Sequence, residues 1–291
     1  MSTTTAWPQV LFGGLVDDAA VFPPGNAPMD AAVSAHRELR TGPLDPLVGV
    51  FLCPASRLRE LRARLRDGDL LSLGLIVDTG VRGLPAAVTE ATAEPRIALK
   101  MVELPLPGET DPTTEVGAVL TTLAALPPAT RGFIELPRKP GWQDALGVVA
   151  TTGPSARLGV KLRTGGATAG HFPTDGGVAD FIVACVDAGL PFKCTAGLHR
   201  AVRHTAADTG FEHHGFLNIV LATCAAVTGA DRAAVETTLA ERDPAALTDA
   251  LRGVDDTIVT KARAHFVSFG TCSVEEPAAD LADLALLPER Q

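Results

Sequence analysis

The sequence contains no tyrosine, and aromatic residues make up only 4% of its 291 residues. It also lacks an excess of positive charge, because 34 acidic residues stand against 25 basic ones and give a formal net charge of −9. Surfaces that bind nucleic acids concentrate lysine and arginine in order to neutralise phosphates. The composition therefore argues against a nucleic acid partner.

Long apolar runs are missing as well. The stretch from Phe181 to Phe192 is interrupted by Asp187 and is too short to span a bilayer. Residues 1–8 contain neither the basic segment nor the apolar core of a secretory signal. We therefore expect a cytoplasmic protein without a membrane partner.

The cysteines are odd in number and include no CxxC spacing. They are Cys53, Cys185, Cys194, Cys224 and Cys272. Disulfide frameworks use even numbers of cysteines, and zinc ribbons use closely spaced pairs. We expect all five to be reduced residues that pack in the interior.

Lysine is rare in this chain, since it accounts for only five of the 25 basic residues. The lysines are Lys100, Lys139, Lys161, Lys193 and Lys261. A buried lysine can lose its proton and act as a base or nucleophile, whereas an arginine stays charged. In a chain that prefers arginine so strongly, each retained lysine is a candidate for chemistry.

Eight short apolar runs predict eight β-strands, and stretches of helical periodicity lie between them. The runs are Leu11–Val16, Leu47–Leu52, Leu71–Val77, Ile97–Val102, Gly132–Leu136, Arg157–Leu162, Leu190–Cys194 and Phe266–Phe269. Strands that alternate with helices pair in parallel, and eight such strands close into a barrel. We predict an α/β fold in which residues 1–291 form one (β/α)8 TIM barrel domain. An open doubly wound sheet is the alternative.

The connection between the seventh and eighth strands is about twice as long as the others. It carries a loop with four histidines and then three stretches of helical periodicity, namely Phe216–Thr228, Arg232–Ala240 and Ala245–Leu251. We therefore predict a helical insertion at about residues 198–264.

Polar residues collect at the carboxyl ends of the predicted strands, where barrel enzymes place their active sites. They are Asp17, Asp18, Asp78, Lys100, Glu103, Glu135, Lys161, Arg163 and Lys193. Alternation along the sixth strand places Gly159, Lys161 and Arg163 on the face opposite its apolar residues. Because helices cover the outer face, these side chains should point into the barrel. The same argument points Lys193 and Glu135 inward.

Two inward lysines on adjacent strands repel each other unless one is neutral or both meet an anion. Burial and a neighbouring cation each lower the pKa of a lysine, which favours an amine nucleophile at Lys161 or Lys193. The alternative is structural, with the lysines paired to Glu103 and Glu135.

Glycines follow both lysines, and a third glycine segment follows the eighth strand. There Gly270 and Thr271 lead through Ser273 into a helix, so free N–H groups and the positive end of the helix dipole should meet at the barrel mouth. Such loops commonly hold a phosphate or carboxylate.

These three segments, in this order, resemble the class I aldolases of the deoxyribose-phosphate aldolase type. The segments are Lys161-Leu162-Arg163-Thr164-Gly165-Gly166, Lys193-Cys194-Thr195-Ala196-Gly197 and Phe269-Gly270-Thr271-Cys272-Ser273. The resemblance implies that Lys161 is the Schiff-base lysine and that Lys193 is the cation lowering its pKa. It also implies an anion cradle formed by Gly270, Thr271 and Ser273.

The chain departs from that family at two places. The family has an aspartate near the end of the fourth strand, where this sequence has Lys100 and Glu103, with Glu135 one strand later. The family also has a short connection between strands seven and eight.

We therefore expect an aldolase-like lyase that acts on a small anionic carbonyl metabolite, which could carry a phosphate, and that needs neither a cofactor nor a metal. Lys161 would form an imine, Lys193 would lower the pKa of Lys161, and Glu103 or Glu135 would move protons. The expected substrate-binding residues are Asp18, Lys100, Arg163, His199, Gly270, Thr271 and Ser273. Whether the chain forms a homo-oligomer is left open.

Two other functions fit the sequence. His199, His204, His213 and His214 could join Asp17, Asp18, Glu103 and Glu135 in a divalent-metal hydrolase. Alternatively, the barrel could bind a ligand or a protein partner through the inserted helices without catalysis. His36 lies on a predicted helix, and we expect no functional role for it.

Overall fold

The computed structural model describes residues 7–152 and 157–287, and eight parallel strands in it close into a barrel. The barrel strands are β1 (Val16–Asp18), β2 (Val48–Pro54), β3 (Leu71–Ile76), β4 (Ile97–Pro105), β5 (Arg131–Glu135), β6 (Leu158–Arg163), β7 (Phe192–Thr195) and β10 (Phe266–Thr271). Two further short strands, β8 (His204–Thr205) and β9 (Glu212–His213), form a separate sheet. The barrel runs from β1 to β7 in chain order and closes through β10, which pairs with both β7 and β1. The predicted TIM barrel is confirmed, and the open sheet is wrong.

Helices cover the outside of the barrel and form the main hydrophobic core with the outward faces of the strands. They are α1 (Trp7–Phe12), α2 (Met29–Thr41), α3 (Leu58–Arg62), α4 (Leu84–Thr92), α5 (Pro112–Leu123), α6 (Trp142–Thr152), α7 (Asp175–Asp187), α8 (Phe216–Val227), α9 (Arg232–Ala240), α10 (Pro244–Arg252), α11 (Asp256–His265) and α12 (Glu275–Asp283). Over the described ranges, none of them combines the length and apolar character needed to cross a bilayer.

The first strand was predicted too early in the chain. Leu11 and Phe12 belong to α1, and the strand itself covers only Val16–Asp18. Both side chains are buried in the core, and Gly14 turns the chain with a φ of 60°. A buried helix and a buried strand cannot be distinguished by periodicity over so short an apolar run. The segment in which we expected no secretory signal covers residues 1–8, and residues 1–6 of it lie outside the described ranges.

The long connection between β7 and β10 contains an antiparallel hairpin of β8 and β9, followed by α8, α9, α10 and α11. The three predicted helical stretches correspond to α8, α9 and α10 within one residue at each end. The hairpin was not predicted, because each of its strands has only two residues.

Apolar side chains fill the interior of the barrel below its charged mouth. Met101 and Phe133 belong to one hydrophobic cluster there, together with residues of β2. A Cβ atom added at Gly159 would lie 2.7 Å from Cε1 of Phe133, so this glycine leaves room for the ring. Met101 and Phe133 each precede a glutamate by two residues, which places those glutamates one layer nearer the mouth.

Candidate active site

The register of the barrel brings the two central lysines side by side. Lys161 pairs with Lys193 across β6 and β7, and it pairs with Glu135 across β5 and β6. Lys161 is 3% exposed and Lys193 is fully buried. Both side chains therefore project into the barrel, as the alternation in the sequence predicts.

A single buried carboxylate joins the two lysines. Oε1 of Glu103 lies 2.5 Å from Nζ of Lys193, and Oε2 lies 2.7 Å from Nζ of Lys161. Glu103 is fully buried on β4. The carboxylate of Glu103 thus offsets the electrostatic repulsion between the two lysines.

Two further carboxylates flank this trio. Lys193 donates to Oδ2 of Asp17 at 2.6 Å, and Lys161 lies 2.8 Å from Oε2 of Glu135. Nε of Arg163 donates to the other oxygen of Glu135 at 2.9 Å. We call these six residues the charge cluster: Asp17, Glu103, Glu135, Lys161, Arg163 and Lys193. Its three cations balance three carboxylates, which makes burial of such charges tolerable.

The pKa values of both lysines are raised. Burial alone would lower the pKa of Lys161, but the charges of Glu103 and Glu135 outweigh it. Burial is likewise the largest influence on the pKa of Lys193, and there Asp17 and Glu103 outweigh it. The expectation that Lys193 lowers the pKa of Lys161 is therefore wrong, because a carboxylate lies between the two ammonium groups.

The pKa values of the carboxylates Glu103 and Glu135 are lowered. Burial would raise the pKa of Glu103, but the two lysines lower it to about 2. Burial also opposes the shift at Glu135, whose pKa is lowered by Lys161 and Arg163. Each of these groups is therefore charged at neutral pH.

Exposure within the charge cluster increases toward the mouth of the barrel. The side chains of Lys193 and Glu103 are fully buried, whereas that of Lys161 is 4% exposed and that of Glu135 is 14% exposed. Arg163 is 45% exposed at the rim. Of the two lysines, Lys161 is the one nearer to solvent.

Asp17, not Asp18, belongs to this cluster. Neighbouring residues of a strand point to opposite faces, and Asp18 points outward toward α2. Its Oδ2 lies 2.9 Å from Nδ1 of His36, and both side chains are buried. The structure thus places Asp18, which was expected to bind substrate, outside the charge cluster, because His36 holds its carboxylate in a buried pair behind the barrel wall.

Replacement of Asp18 by asparagine should therefore affect stability and leave the mouth intact. We expect the free energy of unfolding to fall by about 1–3 kcal/mol, since a buried charge-assisted hydrogen bond is weakened. Urea unfolding would measure this loss, and a variant as stable as the wild type would contradict the assigned pair.

Lys100 also lies outside the site. It is exposed on β4, where consecutive residues of β3 pair with Leu99 and Met101 and skip Lys100. The side chains of Met101 and Glu103 face the interior. The predicted substrate-binding role of Lys100 is wrong, because an irregularity in the strand turns it outward.

The predicted anion cradle lies at the end of β10. Gly270 pairs with residues of β1 and β7, and Thr271 is 2% exposed. Oγ1 of Thr271 lies 3.4 Å from Nδ1 of His199, whose ring also contacts Glu276 at 2.7 Å. The structure thus brings His199 to the rim beside the cradle.

The hydroxyl of Ser273 is already engaged in local structure. It accepts a hydrogen bond from the backbone N–H of Glu276 at 3.3 Å, as a helix-capping residue does. It also lies 3.1 Å from Oε2 of Glu275. Ser273 therefore shapes the start of α12, and its side chain is less free for a ligand than the sequence suggested.

The loop after Lys161 packs closely against the loop after Lys193. A Cβ atom at Gly165 would lie 2.7 Å from Cα of Gly197, so only glycine allows this approach. Oγ1 of Thr164 donates to the carbonyl oxygen of Ala196 at 2.6 Å. Thr164 lies within the first of the three segments that carry the resemblance, but no role was predicted for it. Asp17 was predicted at a strand end and as a metal-site residue in the hydrolase alternative, and not as a partner of Lys193.

The histidines of the insertion do not form a metal site. Among residues 7–152 and 157–287, no three His, Cys, Asp or Glu side chains are grouped so that they could hold a metal ion. His214 is fully buried and lies 2.8 Å from the carbonyl oxygen of Pro173. His213 packs against Phe172, with ring centroids 4.5 Å apart. The geometry offers the metal hydrolase alternative no support.

Comparison with protein-family models, with curated proteins and with solved structures finds no match to this chain. The resemblance to class I aldolases therefore stays a prediction that depends on three short segments.

Proposed function

We propose that this protein is an aldolase-like lyase in which Lys161 forms an imine with a small anionic carbonyl metabolite. The observation that carries the proposal is the position of Lys161 between two carboxylates, at the partly exposed end of a buried charge cluster. An amine in such a place has a proton acceptor in contact, and of the two buried lysines it is the one nearer to solvent.

The resting amine is an ammonium ion, because its pKa is raised. Transfer of its proton to Glu135, 2.8 Å away, produces a neutral amine and a neutral carboxylic acid without changing the net charge of the cluster. Glu103 is the weaker base for this step, since it also holds Lys193 and its pKa is about 2.

The neutral amine then attacks the carbonyl carbon to give a carbinolamine. The protonated Glu135 returns its proton to the departing hydroxyl group, and water leaves. The resulting iminium ion carries the positive charge that the ammonium carried before, between Glu103 and Glu135. Since these carboxylates are already oriented, they stabilise the iminium with little reorganisation. Glu135, which is a carboxylate again, can then take a proton either from a C–H bond on the carbon next to the iminium carbon or from a hydroxyl group one carbon further along. The C–H or C–C bond breaks, and its electron pair moves toward the iminium.

Arg163 and the cradle after β10 favour an anionic substrate. Arg163 lies on the same face of β6 as Lys161, is 45% exposed and uses its Nε atom to contact Glu135. The remaining N–H groups of its guanidinium suit a carboxylate or phosphate. The backbone near Thr271 would hold the same group from β10, which is separated from β6 by β7 alone.

Reduction with sodium borohydride in the presence of short aldehydes and ketoacids tests the proposal. We expect a stable mass increase on the peptide that contains Lys161 with at least one compound. The exposed lysines Lys100 and Lys261 serve as internal controls and should stay unmodified under the same conditions. If no compound modifies Lys161, the imine mechanism is refuted.

A further inference from the structure

A cavity of about 520 Å³ lies on the outer side of the barrel wall, between the loops that follow β5 and β6. Leu136 and Leu162 contribute to its lining. Each of them directly follows a residue of the charge cluster along the chain, Leu162 within β6 and Leu136 just after β5, so it faces the opposite side of the sheet. The cavity is therefore separate from the proposed imine site, and its volume is typical of sites that bind small molecules.

Aromatic rings form much of this cavity's wall. Trp142 on α6 and Phe181 on α7 lie with their ring centroids 5.9 Å apart, and Phe172 lines the side nearest the insertion. Pro137, Pro140 and Pro173 add further apolar surface. Such a wall suits a ligand with a flat or branched apolar body.

The charged residues that line the cavity leave an excess of positive charge. Arg138 and Lys139 form no ion pair with any residue in the described ranges; Arg138 donates to the carbonyl of Gly170, and Lys139 donates to that of Thr110 at 2.8 Å. The carboxylate in the lining, Asp180, is held by Arg232 at 2.6 Å outside it. Lys139 also acts on Glu115, outside the lining, where burial opposes the lowered pKa of that carboxyl and Lys139 contributes to it. Arg138 is therefore the main cation that favours an anionic ligand.

The two cations are held in place before any ligand arrives. Proline residues flank them at positions 137 and 140 and restrict the backbone of the loop. The hydrogen bonds of Arg138 and Lys139 tie this loop to the segments around Gly170 and Thr110. A site that is already ordered loses less conformational entropy on binding.

We propose that this cavity binds a small carboxylate with an aromatic or branched apolar body. The carboxylate contacts Arg138 and Lys139, and the apolar body packs against Trp142 and Phe172. Phe172 also packs against His213, whose Nδ1 lies 3.2 Å from the carbonyl oxygen of Gly197 in the loop after Lys193. A ligand in the cavity is thus in indirect contact with the mouth of the barrel.

Intrinsic fluorescence provides a direct test, because the chain has two tryptophans and no tyrosine. In a Trp7→Phe variant the emission comes from Trp142 alone, in the wall of the cavity. Titration of this variant with 3-phenylpropionate should give a saturable change in emission. The neutral 3-phenylpropanamide, which has nearly the same shape, should bind about tenfold more weakly or worse, since it lacks the charge.

Variants of the cations complete the test. Arg138→Gln and Lys139→Gln in the Trp7→Phe background should each weaken 3-phenylpropionate binding several-fold, whereas Lys261→Gln should leave it unchanged. Circular dichroism would establish that each variant is folded. The proposal is overturned if the carboxylate gives no saturable change up to about 10 mM, if the amide binds equally well, or if neither cation matters.

Discussion

Replacement of Glu103 by glutamine is expected to lower the free energy of unfolding by about 3–5 kcal/mol. Glu103 is fully buried and is the only contact shared by Lys161 and Lys193 within the charge cluster. Without its charge, two buried ammonium groups lie close together with one carboxylate fewer to balance them. Urea unfolding at neutral pH, followed by circular dichroism, would measure the loss.

Glu135→Gln is the matched control for this substitution. It removes a carboxylate from the same cluster, but Glu135 lies nearer the mouth and its partner Arg163 is 45% exposed. Water can compensate part of the lost interaction there, so we expect a clearly smaller loss of stability. Equal losses for the two variants would show that Glu103 has no special position between the lysines.

The pH dependence of the free energy of unfolding should also show that the charge of Glu103 stabilises the fold. The pKa of Glu103 falls from 4.5 to about 2 in the folded chain. A carboxyl whose pKa is depressed on folding stabilises the fold above its unfolded pKa, and that stabilisation disappears as the pH falls through the folded pKa. For Glu103 the difference corresponds to about 3 kcal/mol, lost between roughly pH 4.5 and pH 2. The Glu103→Gln variant should show a correspondingly flatter acid profile.

Replacement of Lys193 by methionine is the second large effect that we expect, with a loss of about 3–5 kcal/mol. Methionine fits beside Met101, whose sulfur lies 3.3 Å from Nζ of Lys193. However, the substitution leaves the buried carboxylates of Asp17 and Glu103 short of one cation. Chemical unfolding of the purified variant would measure the change.

A compensating substitution separates charge from packing. In a Lys193→Met, Asp17→Asn double variant the cluster is neutral again, so the double variant should be more stable than the sum of the two single losses predicts. Asparagine can still accept the hydrogen bond that Oδ1 of Asp17 receives from the backbone of Val50 at 3.0 Å. Strict additivity would mean that Lys193 stabilises the barrel through packing alone.

The barrel and the inward lysines could be predicted because both depend on local patterns. Strand and helix periods alternate along the chain, and the period of two on β6 fixes the inward side of Lys161 and Arg163. The first strand offered no such pattern, since it has only three residues. For that reason the sequence could not distinguish Asp17 from Asp18.

The electrostatics of the site depended on contacts between distant parts of the chain. Glu103 lies 58 residues from Lys161 and 90 from Lys193, and Asp17 lies 176 residues from Lys193. Adjacency of the two lysines alone suggested a lowered pKa, whereas the bridging carboxylate reverses the direction. Similarly, the irregularity that turns Lys100 outward depends on the register between β3 and β4.

The most direct test of the central claim compares borohydride trapping in two lysine variants, at a temperature where circular dichroism shows that both are folded. With the compound that modifies the wild type, Lys193→Met should still be modified at Lys161. Lys161→Met should form no adduct at all, because Lys193 is fully buried. An adduct on Lys193 in the Lys161→Met variant would contradict the assignment of Lys161 as the reactive amine.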